Sequence, residues 1–96
     1  MEHIFETIDK TGRKIKLTKT QYRHILRHKG IEHYIEEIKQ TLVKPLNIIR
    51  REEGDLYDYY TYHKNRVSPF KYLKVVVKYL NGDGFVITAY FVKNMN

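Results

Sequence analysis

The sequence predicts an α+β fold: an N-terminal β-hairpin and two helices packed on a four-stranded antiparallel sheet. Three observations carry that expectation. Apolar residues recur at helical spacing between Tyr22 and Leu42. From Leu46 onward the pattern turns to short strands broken by turn residues. The two kinds of element are segregated along the chain, which places helices on one face of an antiparallel sheet. With 96 residues, 42% of them hydrophobic, the chain suits one domain spanning 1–96 with a core of its own.

His3 to Asp9 reads as a strand and Lys10-Thr11-Gly12 as a turn. Arg13 to Leu17 alternates basic and apolar residues, as the second arm of a hairpin does. Thr18 starts a helix, because it stands three residues before Gln21. At that spacing each side chain satisfies the other end's free N–H. The helix runs to about Lys29, with Gly30 as its stop and Tyr22, Ile25 and Leu26 as its buried stripe. Ile31, Tyr34, Ile35, Ile38 and Leu42 then form the apolar stripe of a second helix, which Pro45 ends. Leu46 to Glu52 and Leu56 to His63 read as strands around Glu53-Gly54-Asp55. Asn65 to Pro69 is a loop and Phe70 to Leu80 a long strand. Asn81-Gly82-Asp83-Gly84 is a hairpin turn, and Phe85 to Lys93 the last strand.

Lys and Arg number 18 against 11 Asp and Glu, a formal net charge of +7. The surplus is uneven. Eight basic residues and no acid fall between Lys10 and Lys29, and five more between His63 and Leu80, again without an acid. If the fold joins the two blocks, the surface attracts polyphosphate through counterion release. Solvated faces of a basic protein are the plainer account. Five of the nine tyrosines lie between Tyr57 and Tyr72. They suit half-buried strands and, interleaved with cations, can also stack on unpaired bases.

The absence of cysteine excludes disulfides, a thiolate zinc site and a cysteine nucleophile. Apolar runs such as Val75-Val76-Val77 fall far short of a membrane span. His3, Glu6 and Asp9 interrupt any signal-peptide pattern at the start, so a soluble cytoplasmic protein is expected.

Strand alternation lets the two sheet faces be read separately. In the long strand Leu73, Val75, Val77 and Tyr79 are expected against the helices, leaving Lys74, Val76 and Lys78 on the open face. In the last strand Phe85, Ile87, Ala89 and Phe91 are the more apolar set. Val86, Thr88, Tyr90 and Val92 are then expected beside the lysines. Arg50 and one of Tyr59 and Tyr60 complete a cationic, hydroxyl-bearing surface suited to a phosphodiester. An amphipathic sheet with solvated lysines is the competing account.

His24 and His28, at i and i+4, share one face of the first helix. Such a pair can hold a metal. Ile25, however, stands where the acid of an HExxH motif belongs, and no third ligand is in view, so no metal site is expected. The imidazoles also suit general acid–base work near neutral pH, or a half-buried structural role for His28. No catalytic-triad spacing, P-loop or dinucleotide fingerprint is present.

One set of motifs runs Leu17-Thr18-xxx-Tyr22-x-His24-Ile25-xxx-His28, Leu42-xx-Pro45 and Ile48-Ile49-Arg50. A Tyr-rich strand, Lys74-Val75-Val76-Val77 and Val86-Ile87-Thr88-Ala89-Tyr90 complete it. In this order the motifs resemble the phage and mobile-element branch of the barnase–EndoU–colicin–RelE (BECR) superfamily. The resemblance spans Leu17 to Tyr90. It implies a metal-independent endoribonuclease without cofactor, often a toxin, with helices packed on a four-stranded antiparallel sheet. It also implies acid–base roles for His28 or His24, with Tyr90 as the alternative. Arg50 and Lys74 become the electrostatic groups, and Thr88 positions the phosphate. Lys78, Tyr60, Arg23 and Arg27 are expected to bind RNA around them. The expected partners are RNA and an acidic antitoxin or immunity protein, and no membrane. Two other readings stay open: a nucleic-acid-binding module that does not cleave, and an interaction domain docking an acidic partner.

Overall fold

The structure, a computed structural model, describes residues 3–95. In chain order come β1 (His3–Ile8), β2 (Lys14–Thr18), α1 (Lys19–Ile25), a 3₁₀ turn (Ile31–Tyr34) and α2 (Ile35–Val43). The strands β3 (Asn47–Arg50), β4 (Leu56–Tyr62), β5 (Tyr72–Leu80) and β6 (Asp83–Val92) follow. The class is α+β, as expected, but the sheet differs from the expected four antiparallel strands. All six strands form one mixed sheet in the order β1-β2-β6-β5-β4-β3, in which β2 runs parallel to β6. The other pairings are antiparallel.

The hairpin joins the sheet through a short contact, with Ile15 opposite Gly84 and Lys16 opposite Phe85. Gly84 makes this approach possible. A Cβ there would lie 2.8 Å from Tyr79 Cε1 and 2.9 Å from Ile15 Cγ1. Any side chain would therefore press the strands apart. The sequence pattern assigned Gly84 to the hairpin turn, yet the turn needs only Asn81 and Gly82. Both have positive φ, 53° and 87°, the type I′ geometry that matches strand twist.

One face of the sheet carries α2, which packs on β1, β4 and β5. Ile15, Leu17, Tyr59, Leu73, Val75, Val77, Val86 and Ala89 form the core there with Ile25, Ile31, Ile38 and Leu42. Burial of such side chains, at ~1.5–3 kcal/mol each, is the main force that closes the layers. The apolar stripe packs as the spacing predicts, but its first members, Ile31 and Tyr34, lie in the 3₁₀ turn and α2 begins only at Ile35.

The first helix is shorter than predicted. Thr18 caps it, its Oγ1 accepting from the Gln21 N–H at 3.2 Å. Beyond Ile25 the bonding tightens to three-residue turns: Arg27 N–H to the His24 carbonyl at 3.2 Å, His28 N–H to that of Ile25 at 2.9 Å. The chain then reaches Gly30 at φ 88°. The tightened turn leaves Leu26 exposed, where the helical pattern predicted it buried.

Two strand readings are also corrected. Val76 pairs with Thr88 but Val77 with Val86, so Ile87 is an extra residue, a β-bulge that reverses parity. Val86 therefore points into the core, and Phe85 joins Lys78 on the open face. Thr88 and Tyr90 keep the open side, beside Val76 and Lys74. In β3, Ile48 faces Tyr59 and Arg50 faces Tyr57, both on the helix-bearing side. Arg50 thus lies on that side, its guanidinium 5.9 Å from the Tyr57 ring centroid, and is absent from the open face.

Candidate functional site

On the open face Tyr60, Lys74 and Tyr90 lie in one row across three strands, and Asp58, Val76 and Thr88 in the next. Asp58 is only 6% exposed. Arg51, one residue beyond β3, grips both of its oxygens, with Nε at 3.1 and 3.0 Å and Nη2 at 2.9 Å. Lys74 Nζ stands 3.9 Å from the same carboxylate. One acid thus holds two cations, which leaves a net positive charge at the centre of the face. An exposed ion pair would fix little, but a forked guanidinium on a buried carboxylate is held in place.

The Asp58 bonds raise the Arg51 pKa against the opposing effect of desolvation. Burial pushes the Tyr60 hydroxyl up, and the neighbouring Lys74 ammonium works against it. The net shift is upward, so Tyr60 remains a protonated hydroxyl at neutral pH.

Lys74 Nζ lies 5.5 Å from the Tyr90 ring centroid. Tyr90 in turn stacks on His28, with centroids 5.0 Å apart and planes inclined by 26°. A continuous series, Arg51–Asp58–Lys74–Tyr90–His28, runs from the β3 edge across β4 and β5 to β6 and the segment after α1. His28 can reach it because β2 pairs with β6 only at Gly84 and Phe85. Further along β6, α1 packs against the strand instead.

A cleft of about 490 Å³ runs beside this series, lined by Gln21, His24, Arg27, His28, Ile87 and Thr88. His24 Nδ1 pairs with Gln21 Oε1 at 3.1 Å, so the Gln21 side chain turns to His24. His24 and His28 line one cleft although α1 ends between them. Arg23 is exposed on α1 and lies outside this lining. Lys78 stands further along the open face opposite Phe85, and Lys16 Nζ lies 5.9 Å from the centroid of that ring. The two basic blocks therefore do meet around β6, one through β2 and the other through β5.

Sequence reasoning missed Arg51 and Asp58. In Ile48-Ile49-Arg50-Arg51 both the apolar and the basic residue are doubled, so alternation leaves the parity open. Asp58 did carry a signal, as the one acid inside a strand of apolar and tyrosine residues; such an acid is buried only when paired. Among the described residues, no group of three or more His, Asp and Glu is placed to hold a metal ion. No helix among them is long and apolar enough to cross a membrane.

The sheet presents fixed cations beside an imidazole and hydroxyls, groups that can hold a phosphodiester and move a proton. The family described as phage-Barnase-EndoU-ColicinE5/D-RelE like nuclease2 matches residues 2–96, and the chain belongs to it. No curated protein and no solved structure matches the chain.

Proposed function

We propose that the protein is a metal-independent endoribonuclease, one BECR-like domain whose site is the series Arg51–Asp58–Lys74–Tyr90–His28. The observation that carries this reading is the pair of cations fixed on Asp58 next to the stacked His28 and Tyr90. The ribose 2′-oxygen attacks the adjacent phosphorus while its proton passes to a base. The P–O5′ bond then breaks, O5′ takes a proton from an acid, and a 2′,3′-cyclic phosphate remains. In this reading His28 makes one transfer and Tyr90, stacked on it, the other.

Arg51 and Lys74 stabilise the charge that builds on the phosphorane, Arg51 taking the part that the resemblance implied for Arg50 beside Lys74. Thr88 positions the phosphate, Tyr60, buried beside Lys74, supports that lysine, and His24 and Arg27 hold the strand in the adjoining cleft. Lys16 and Lys78 extend the backbone contacts. A toxin-like or mobile-element effector fits this chemistry, with an acidic antitoxin or immunity protein covering the basic face.

The test is RNA cleavage in chelator, with end-group analysis for the cyclic phosphate. His28→Ala and Lys74→Ala each lower the rate by ~10²–10⁴-fold, and Arg51→Ala by ~10²–10³-fold. Arg50→Ala leaves it nearly unchanged. RNA that stays intact but is retained in a salt-dependent way would mark a binding module and reject catalysis. Loss of all cleavage in chelator would reject the metal-free mechanism.

A further inference from the structure

A second cleft, about 700 Å³, opens on the other side of the His28–Tyr90 stack. It lies between the 28–34 segment, the loop joining β4 to β5, and the end of β6. We propose that it is a guanine pocket in which Arg66 reads the O6 and N7 acceptors of a base next to the scissile phosphate. The proposal rests on the nuclease reading above for the identity of that phosphate.

Position comes first. His28 and Tyr90 are walls of this cleft, and His28 also lines the smaller one. A phosphate held at the stack therefore has one nucleotide-sized recess on either side. The larger recess has aromatic walls, which suit a base better than a sugar–phosphate.

Arg66 is the second argument. Its guanidinium carbon lies 3.6 Å from the Phe91 ring centroid and 5.5 Å from that of Tyr34. Phe91 is itself held by the edges of Tyr34 and His63, at centroid distances of 4.9 and 5.5 Å. The Lys71 ammonium ties the loop down, donating to the carbonyls of Lys64, at 3.2 Å, and of Arg66. Among the described residues the Arg66 side chain makes no hydrogen bond or ion pair, and its Nε is buried without an acceptor. A forked donor is thus held in a fixed plane with its hydrogen-bonding capacity unused.

The lining decides which base. It holds no Asp or Glu, and its charged side chain besides Arg66 is Lys29. Such a wall favours an edge made of acceptors. Guanine offers two adjacent acceptors to an arginine fork, whereas adenine places an amino donor beside its N7 and cytosine carries one at N4.

The experiment is calorimetric titration of the four nucleoside 3′-monophosphates into the wild-type protein and Arg66→Met, whose side chain still covers Phe91. Guanosine 3′-monophosphate binds at least ~5-fold more tightly than the other three, and the variant levels the four. Equal affinities in the wild type overturn the proposal without any variant, as does a guanine preference that survives Arg66→Met. Binding needs no cleavage, so the two ideas fail separately. Guanine preference in a protein that leaves RNA intact supports the pocket and rejects the nuclease. RNA cleavage with equal affinity for all four bases keeps the nuclease and rejects the pocket.

Discussion

Asp9 shows how one side chain can fasten a hairpin to a sheet. It is 5% exposed, at the turn between β1 and β2. It accepts from the Thr11 N–H (2.9 Å) and hydroxyl (2.7 Å), the Arg13 N–H (2.9 Å), the Tyr79 hydroxyl (3.0 Å) and the Tyr59 hydroxyl. Burial by itself raises a carboxyl pKa; here the bonds from Tyr59, Arg13, Thr11 and Tyr79 outweigh it, and the net shift is downward. A lowered folded-state pKa contributes stability that is fully present above the unfolded value, about 4, and is lost as pH falls through the folded value. Asp9→Asn therefore costs ~1–3 kcal/mol at pH 7 in urea unfolding. The gap between variant and wild type narrows below about pH 4 as the wild-type carboxylate takes its proton. A pH-independent gap would reject this account. The turn was legible as Lys10-Thr11-Gly12, but the burial of Asp9 was not, because Tyr59 and Tyr79 lie 50 and 70 residues away.

At the scale of elements, legibility followed the number of residues that shared a pattern. The stripe from Ile31 to Leu42 runs through the 3₁₀ turn and α2, and the Asn81-Gly82 turn has its own chemistry, so both were visible. The parallel contact of β2 with β6 involves two residue pairs and leaves no periodic trace. Ile87 looks like any strand residue, yet as the bulge it sends Val86 and Phe85 to the faces opposite those alternation predicts. Thr88 and Tyr90 follow that bulge and keep their expected face, so placing the candidate site needed only the parity of β3, which exchanges Arg51 for Arg50. Gly84 tests the parallel contact directly. Gly84→Ala puts a methyl within 3 Å of Tyr79 and Ile15, so strand separation should cost ~1–3 kcal/mol by urea unfolding. Amide exchange should rise in β1 and β2 more than in β4 and β5, because the hairpin loses its seat on β6. An undisturbed β2 in Gly84→Ala would show that the Asp9 bonds and the two helices hold the hairpin without this contact.

For the whole molecule, the formal charge of +7 matters less than where the fold gathers it. Acids at Glu32, Glu36 and Glu37 stay on the 3₁₀ turn and α2, which pack on the other side of the sheet. The open face keeps Arg51 and Lys74 on Asp58, with Lys16 and Lys78 beside Phe85. Lys16, Lys78 and the one net positive charge of the Asp58 cluster give a footprint of about three phosphates, and binding of single-stranded RNA then falls with salt at a log–log slope of about −2. Lys16 and Lys78 make no ion pair with Asp58, so on the proposed reading they contribute backbone attraction without touching the reacting phosphate. Lys16→Met together with Lys78→Met should therefore reduce that slope by about 1 to 1.5. The rate of cleavage at saturating RNA should stay close to wild type, because uniform binding is lost and transition-state contacts are not. A slope unchanged in the double variant would move the RNA path off this face. An equal fall in saturated rate would instead place the two lysines in the chemistry itself.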